Sequence, residues 1–300
     1  ATLVSAEDKY GSNRLFGLGR TRGTVLYSHY DEDGGFRLME IAVDGKSEPI
    51  ELYRESIIQG FLFDDETGLF IGGVKDGDVP ELEMISANHE KIVMATRNAF
   101  PGNYVHFQSA SADWLKLIVY TNGAGDSGTW WFVDIEKGDA RPIAYDRPEI
   151  RSVSVGAEKM WAYKARDGLS ISAVLTTPPG RDAVSGMPLV VLPHGGPQSR
   201  DYLGFDWLAQ AFASRGYVVL QPNFRGSSGY GLTYRDAGFG QWGRKMQTDL
   251  SDGVAALAKT GLIDPERVCI VGASYGGYAA LAGVTVQNGI YQCAVSIAGL

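Results

Sequence analysis

Cysteine is scarce in this chain: Cys269 and Cys293 are its only two. Two are too few for a disulfide framework, and their spacing is wrong for a Cys-ligated metal site. Both lie in apolar, strand-like runs, so they read as two buried free thiols. Long apolar stretches are missing as well. The longest near-continuous one, "PLVVLP" (188–193), falls far short of the roughly 20 residues that cross a bilayer as a helix. No run of lysine or arginine stands out. The formal net charge of −8 and a sequence pI of about 5.1 argue against non-specific binding to nucleic acid or to anionic membranes. The opening residues, "ATLVSAEDKY", lack the basic start and apolar centre of a signal peptide, which leaves the compartment open with the cytoplasm as the default. What is present is an ordinary globular composition, 44% hydrophobic and 21% charged over 300 residues, enough chain for two domains.

Residues 1 to 152 read as short strands separated by polar turns. One pattern recurs three times, as "VLYSHYDEDGGFRLMEIAVDGK" (25–46), "LFIGGVKDGDVPELEMISANHEK" (69–91) and "LIVYTNGAGDSGTWWFVDIEKGD" (117–139). Each copy is strand, Asp/Gly turn, strand and second turn. The interval of roughly 44 to 49 residues is the size of one four-stranded propeller blade. No helical periodicity of useful length is evident in this half. Trp130, Trp131 and Phe132 read as strand packing. Three blades do not close a ring, so we expect a partial propeller over 1–152.

From residue 153 the pattern changes. "KMWAYKARDGLSISAVLTTPPG" reads as a hairpin turning at Asp167-Gly168. Leu189 to Leu192 form a continuous apolar strand of the kind buried on both faces. A helix follows, with Leu208 and Phe212 on one face and Gly216 at its end. "YVVLQP", a helix over 245–260, "RVCIV", another helix and "QCAVSIAG" continue the alternation. This predicts a three-layer α/β domain, mostly parallel, over 153–300.

Within it, "CIVGASYGGYAAL" (269–281) runs from a buried strand through Ser274 into a helix. A lone G-x-S-x-G is weak: 39 glycines in 300 residues, with the serines present, give about a third of one match by chance. The strand–turn–helix context makes it the nucleophile elbow of an α/β-hydrolase. The serine takes a strained backbone conformation that projects its hydroxyl above the sheet. Gly272, Gly276 and Gly277 leave room around it. The amide of Tyr275, at the helix N-terminus, is placed to donate to an oxyanion. "LPHGGP" (192–197) leaves an earlier strand where this fold carries its second oxyanion donor, and Gly195 or Gly196 supplies that amide. His194 shapes this turn.

"HGGP", "NFRGSSGYG" (223–231), "TDLSDGVAALAKTGLIDPERVCIVGASYGGYAAL" and the preceding blades together resemble the prolyl oligopeptidase family of serine peptidases. The fit is to its acylaminoacyl-peptidase and dipeptidyl-peptidase-like branches, since Tyr275 follows the serine and H-G-G-P is present. The resemblance is strong over 160–300 and pattern-level over the blades. It implies a propeller covering a hydrolase domain, short peptides as substrates, Ser274 as nucleophile, and Tyr275 with the H-G-G-P loop as the oxyanion hole. Phe224 stands where the family more often has proline. Arg225 either organises the loop near the site or makes a structural salt bridge. Asp249 and Asp252 read as helix and loop anchors. No metal or organic cofactor is implied, and homo-oligomer formation stays open.

A nucleophilic serine needs a base and an orienting acid, which in this fold follow it in the order Asp, His. The four histidines are His29, His89, His106 and His194, and all precede Ser274. The first three read as solvated strand or turn positions. We therefore expect an internal piece of a longer peptidase, cut at both ends, with its Asp and His beyond residue 300 and little turnover of its own. The alternatives are a carboxylesterase of the same fold and a non-catalytic propeller–hydrolase scaffold.

Overall fold

Apolar–polar alternation builds the first half of the chain from strands. The computed structural model describes residues 13–30, 36–54, 58–123, 125–150, 155–181 and 185–300. Strands β1 (Leu15–Leu18), β2 (Thr24–Tyr30), β3 (Phe36–Ala42) and β4 (Ile50–Arg54) form one sheet in chain order. Strands β5 (Ile58–Phe63), β6 (Phe70–Lys75) and β7 (Glu81–Met84) form a second, followed by helix α1 (Ala87–Asn98). A third sheet holds β8 (Asn103–Ala110), β9 (Lys116–Gly123), β10 (Asp126–Asp134) and β11 (Asp139–Tyr145). Burial alternates along the whole of β9, as a sheet with one face inward requires. Leu26, Leu38, Tyr53 and Phe70 fill one core cluster; Val93, Phe100, Trp114, Leu117 and Val119 belong to another, with Trp131 packed against it. The turn expected within 31–35 and the boundary placed at 152–153 lie outside the described residues.

Helix α1 overturns the expectation that the first half carries no helix. Its buried face is narrow, Ile92, Val93 and Thr96, and one of the three is polar, so periodicity alone does not expose it. Tertiary contacts hold it: Arg97 donates to the Leu82 carbonyl at 2.9 Å and Glu90 accepts from the Met84 amide at 2.8 Å. His89 consequently sits on a helix, stacked 5.0 Å from Trp114, and not on a strand or turn.

The second half builds a six-stranded sheet. Its elements are β12 (Glu158–Lys164), β13 (Ser170–Thr176), β14 (Met187–Val191), α2 (Trp207–Ser214), β15 (Val218–Asn223), α3 (Leu232–Asp236), α4 (Lys245–Lys259), β16 (Ile263–Ala273), α5 (Tyr275–Thr285) and β17 (Cys293–Ile297). Strand order is β12-β13-β15-β14-β16-β17. The hairpin β12–β13 and the β13–β15 pair are antiparallel; β15, β14, β16 and β17 run parallel. Val190, Val219 and Val271 pack with Ala209 of α2 in one cluster, while Leu189, Leu220 and Ile270 pack with Leu250 of α4 and Ala279 of α5 in another. Helices thus cover both faces of an α/β sheet. Asp206 caps α2 by accepting from the Leu208 and Ala209 amides at 2.9 and 2.7 Å.

The chain forms two compact units. One is built on the described residues up to 101 with 105–120 and 131–141, the other on 102–104, 121–130 and the described residues from 142 onward.

The cysteines correct a second expectation. Cys269 and Cys293 are register partners on β16 and β17, their Cα atoms 4.7 Å apart, and they form a disulfide. Neither is a free thiol, and Cys293 is exposed. The pattern around each cysteine reveals a strand; it does not reveal that the crossover through α5 sets the two strands side by side in that register.

Candidate active site

The turn between β16 and α5 places Ser274 at φ 55° and ψ −121°, one of three non-glycine residues with positive φ among the described residues. An L-residue held there is strained. Its neighbours hold it: the Ser274 amide donates to the Ile297 carbonyl of β17 at 3.0 Å, and its carbonyl accepts from Tyr278 at 3.0 Å. Ser274 is exposed. Among the described residues its hydroxyl caps no helix amide.

The glycines are set by close approach of backbone. A β-carbon on Gly272 would lie 2.3 Å from the Gly276 carbonyl oxygen, and one on Gly276 would lie 2.1 Å from that of Pro193. One on Gly277 would meet Gly299 Cα at 2.8 Å. The H-G-G-P loop therefore lies directly against the elbow. Gly195 reaches the serine itself, since a β-carbon there would sit 3.4 Å from Ser274 Cβ and 3.9 Å from Oγ. Gly196 adopts φ 118°, which glycine takes without strain. The amides of Tyr275, Gly195 and Gly196 make no hydrogen bond among the described residues.

The Tyr275 side chain turns into the core. It is 1% exposed and packs 4.8 Å from Trp242 and 5.3 Å from Phe224. Burial pushes its hydroxyl pKa up, which leaves a neutral phenol.

His194 is half-buried and stacked 4.5 Å over Phe224. Nδ1 lies 2.8 Å from the Gly195 carbonyl and Nε2 lies 2.9 Å from Ser227 Oγ. A carbonyl only accepts, so Nδ1 carries the proton and Nε2 accepts from the Ser227 hydroxyl. That hydroxyl also lies 2.6 Å from the Phe224 carbonyl, so its one proton is shared. Desolvation pulls the His194 pKa down to about 4, which keeps this neutral tautomer. With both nitrogens engaged, His194 is not available as a base for Ser274.

Arg225 makes a buried ion pair. It is 4% exposed. Its Nε and Nη2 donate to the two oxygens of Asp249 at 2.8 and 2.7 Å, and its amide donates at 3.0 Å. Nη1 and Nη2 also reach Asp167 in the β12–β13 turn at 2.9 and 3.0 Å. Burial pushes the Asp249 carboxyl up, opposed by the donors of Arg225; those donors, with Lys245, hold Asp167 far below the usual carboxylate range. Asp252 receives the neighbouring Arg166 amide and guanidinium at 2.7 and 2.8 Å. The hairpin turn is thereby fixed to α4 and to the chain after β15.

Asn223 and Ser227, which sequence reasoning did not single out, are both fully buried. Both lie inside "NFRGSSGYG"; a polar residue between glycine and buried strand is the signal they carry. Asp201 is a third. Desolvation first, and Asp206 second, raise its pKa to about 7, and its Oδ2 is buried without a hydrogen-bond partner among the described residues.

Residues 203–300 match the model of the prolyl oligopeptidase family. The chain is similar to dipeptidyl aminopeptidase BIII of Pseudoxanthomonas mexicana, 35% identical over 205 residues, which is 66% of this chain and 30% of that protein. It is similar to dipeptidyl peptidase family member 6 of Caenorhabditis elegans, 35% identical over 240 residues, 73% of this chain and 32% of that one. It spans just under a third of these curated relatives. Among solved structures it resembles a puromycin-hydrolyzing peptidase of Mycobacterium tuberculosis, with TM-score 0.75 and 21% identity over 96% of this chain and 45% of that chain. Such likeness gives the fold: propeller blades followed by an α/β-hydrolase sheet. Over residues 203–300 the chain is thus similar to the prolyl oligopeptidase family.

Proposed function

We propose that the protein is a serine peptidase that hydrolyses short peptides through an acyl-enzyme on Ser274. The observation that carries the reading is the exposed serine at φ 55° beside amides of Tyr275, Gly195 and Gly196 that bond nothing else among the described residues. Ser274 Oγ attacks the peptide carbonyl carbon while a general base other than His194 takes its proton. The carbonyl oxygen becomes an oxyanion and accepts from the Tyr275 and Gly196 amides, at the N-terminus of α5 where the helix dipole favours negative charge. The tetrahedral intermediate collapses, the amine leaves with a proton, and water releases the acid. Peptides are the favoured substrates because the two curated relatives are dipeptidyl peptidases by name.

The test is fluorophosphonate labelling of the full-length protein. The serine hydroxyl displaces fluoride at phosphorus, so a label on Ser274 that is lost in Ser274→Ala supports the reading. A folded protein that takes no label overturns it.

A further inference from the structure

The loop that carries Gly195 and Gly196 has no regular secondary structure between β14 and α2. Its shape must therefore come from side-chain and irregular backbone contacts. Contacts along its length join it to one segment, residues 223–230. At the near end, His194 Nε2 meets Ser227 Oγ at 2.9 Å. In the middle, the Ser228 amide donates to the Ser199 carbonyl at 3.0 Å. At the far end, the Asp201 amide donates to Asn223 Oδ1 at 2.7 Å, and Asn223 Nδ2 donates to the Asp201 carbonyl at 3.0 Å and to the Tyr230 hydroxyl at 2.9 Å. The Asn223 amide has only one orientation that works, because exchanging its oxygen and nitrogen would set donor against donor at Asp201. The Arg200 guanidinium lies 4.3 Å over Tyr230, in cation–π contact between the same two segments.

Segment 223–230 is itself immobilised. Arg225 ties it to Asp249 and Asp167, Phe224 is fully buried, and Tyr234 donates to the Asn223 carbonyl at 2.6 Å. Ser227 and Asn223 thus stand between a rigid support and the two glycines, one on each side of them.

We propose that Ser227 and Asn223 are positioning residues for the oxyanion site: through His194 before the glycines and Asp201 after them, they fix where the Gly195 and Gly196 amides point, without touching substrate. The proposal rests on the reading of Ser274 as nucleophile. A purely architectural role makes a different statement, namely that loss of either side chain lowers stability and leaves the chemistry of the folded fraction alone.

The experiment compares wild type, Ser227→Ala, Asn223→Ala and Ser227→Thr in the full-length protein, with thermal melts to establish folding. Amides that must lie within hydrogen-bond reach of a developing charge lose one to two orders of magnitude when displaced by about an ångström. Each alanine variant is therefore expected to lower kcat on a dipeptide anilide by about 10- to 100-fold with KM within about threefold. Affinity for a peptide aldehyde, whose serine adduct carries the oxyanion, should fall by a similar factor, while affinity for the corresponding peptide acid stays put. Ser227→Thr keeps the hydroxyl and should restore kcat to within about threefold. Alanine variants that keep wild-type kcat and aldehyde affinity overturn the proposal, as do variants whose only change is a lower melting temperature. If wild type itself takes no fluorophosphonate label, the reading of Ser274 fails and this proposal fails with it; a labelled wild type with unaltered variants overturns this proposal alone.

Discussion

Gly276 has no room for a side chain, because any β-carbon would fall 2.1 Å from the Pro193 carbonyl oxygen. Gly276→Ala must push the H-G-G-P loop off the elbow or twist the first turn of α5. We expect it to abolish fluorophosphonate labelling and to destabilise the protein by about 1–3 kcal/mol, the range for overpacking, both readable on one purified variant. Asp201 and His194 make opposite statements about pH. Asp201 is raised to about 7 in the folded state, against about 3.9 unfolded, so the folded protein prefers its proton. Its stabilising share is full below the unfolded value and is lost as pH rises through 7. His194, lowered to about 4 from about 6.5, contributes fully above 6.5 and loses its share as pH falls toward 4. Asp201→Asn cannot ionise. Its melting temperature relative to wild type should therefore climb between pH 4 and pH 7; parallel melting curves across that window would remove Asp201 from the account.

Elements are joined here by a few strong ties more than by surface charge. The Cys269–Cys293 disulfide closes a 24-residue separation and binds the strand that leads into Ser274 to the strand whose Ile297 carbonyl holds the Ser274 amide. Loop closure over that length is worth about 3 kcal/mol. Mass spectrometry of the unreduced, alkylated protein should find both cysteines unmodified by the alkylating reagent. Reduction should lower the melting temperature, and the Cys269→Ser/Cys293→Ser variant should match the reduced wild type and ignore reductant. Helix α1 illustrates the converse. Its three buried residues do not make a convincing stripe, and contacts with Leu82, Met84 and Trp114 decide that it forms.

At the scale of the whole molecule, each unit owns its core: the clusters around Leu26 and Val93 lie in one, those around Leu189 and Val190 in the other. Chains of this kind depart from two-state unfolding. Scanning calorimetry should resolve two transitions. Arg225→Ala leaves Asp249, 0% exposed, as an unpaired buried charge, which costs about 3–5 kcal/mol. It should lower the transition of the unit that contains residue 225 and leave the other in place; a uniform shift of one cooperative peak would contradict two separate cores.

The sequence alone determined what depends on near neighbours along the chain. The hairpin at Asp167-Gly168, the buried strands, the helix over 245–259 and the strand–serine–helix turn are all legible because apolar period, turn residues and capping are local signals. The recurring pattern of the first half, and the alternation of the second, gave the fold class for the same reason. Only the tertiary structure decided what depends on residues far apart. It set Cys269 opposite Cys293, made Arg225 the partner of Asp249 and Asp167, raised α1 from a weak stripe, and brought Ser227 against His194 and Asn223 against Asp201 in the loop that carries the two glycines. Each of these follows from strand register and packing, which are fixed only when segments bury surface together; the partners in the second half lie more than 20 residues apart along the chain.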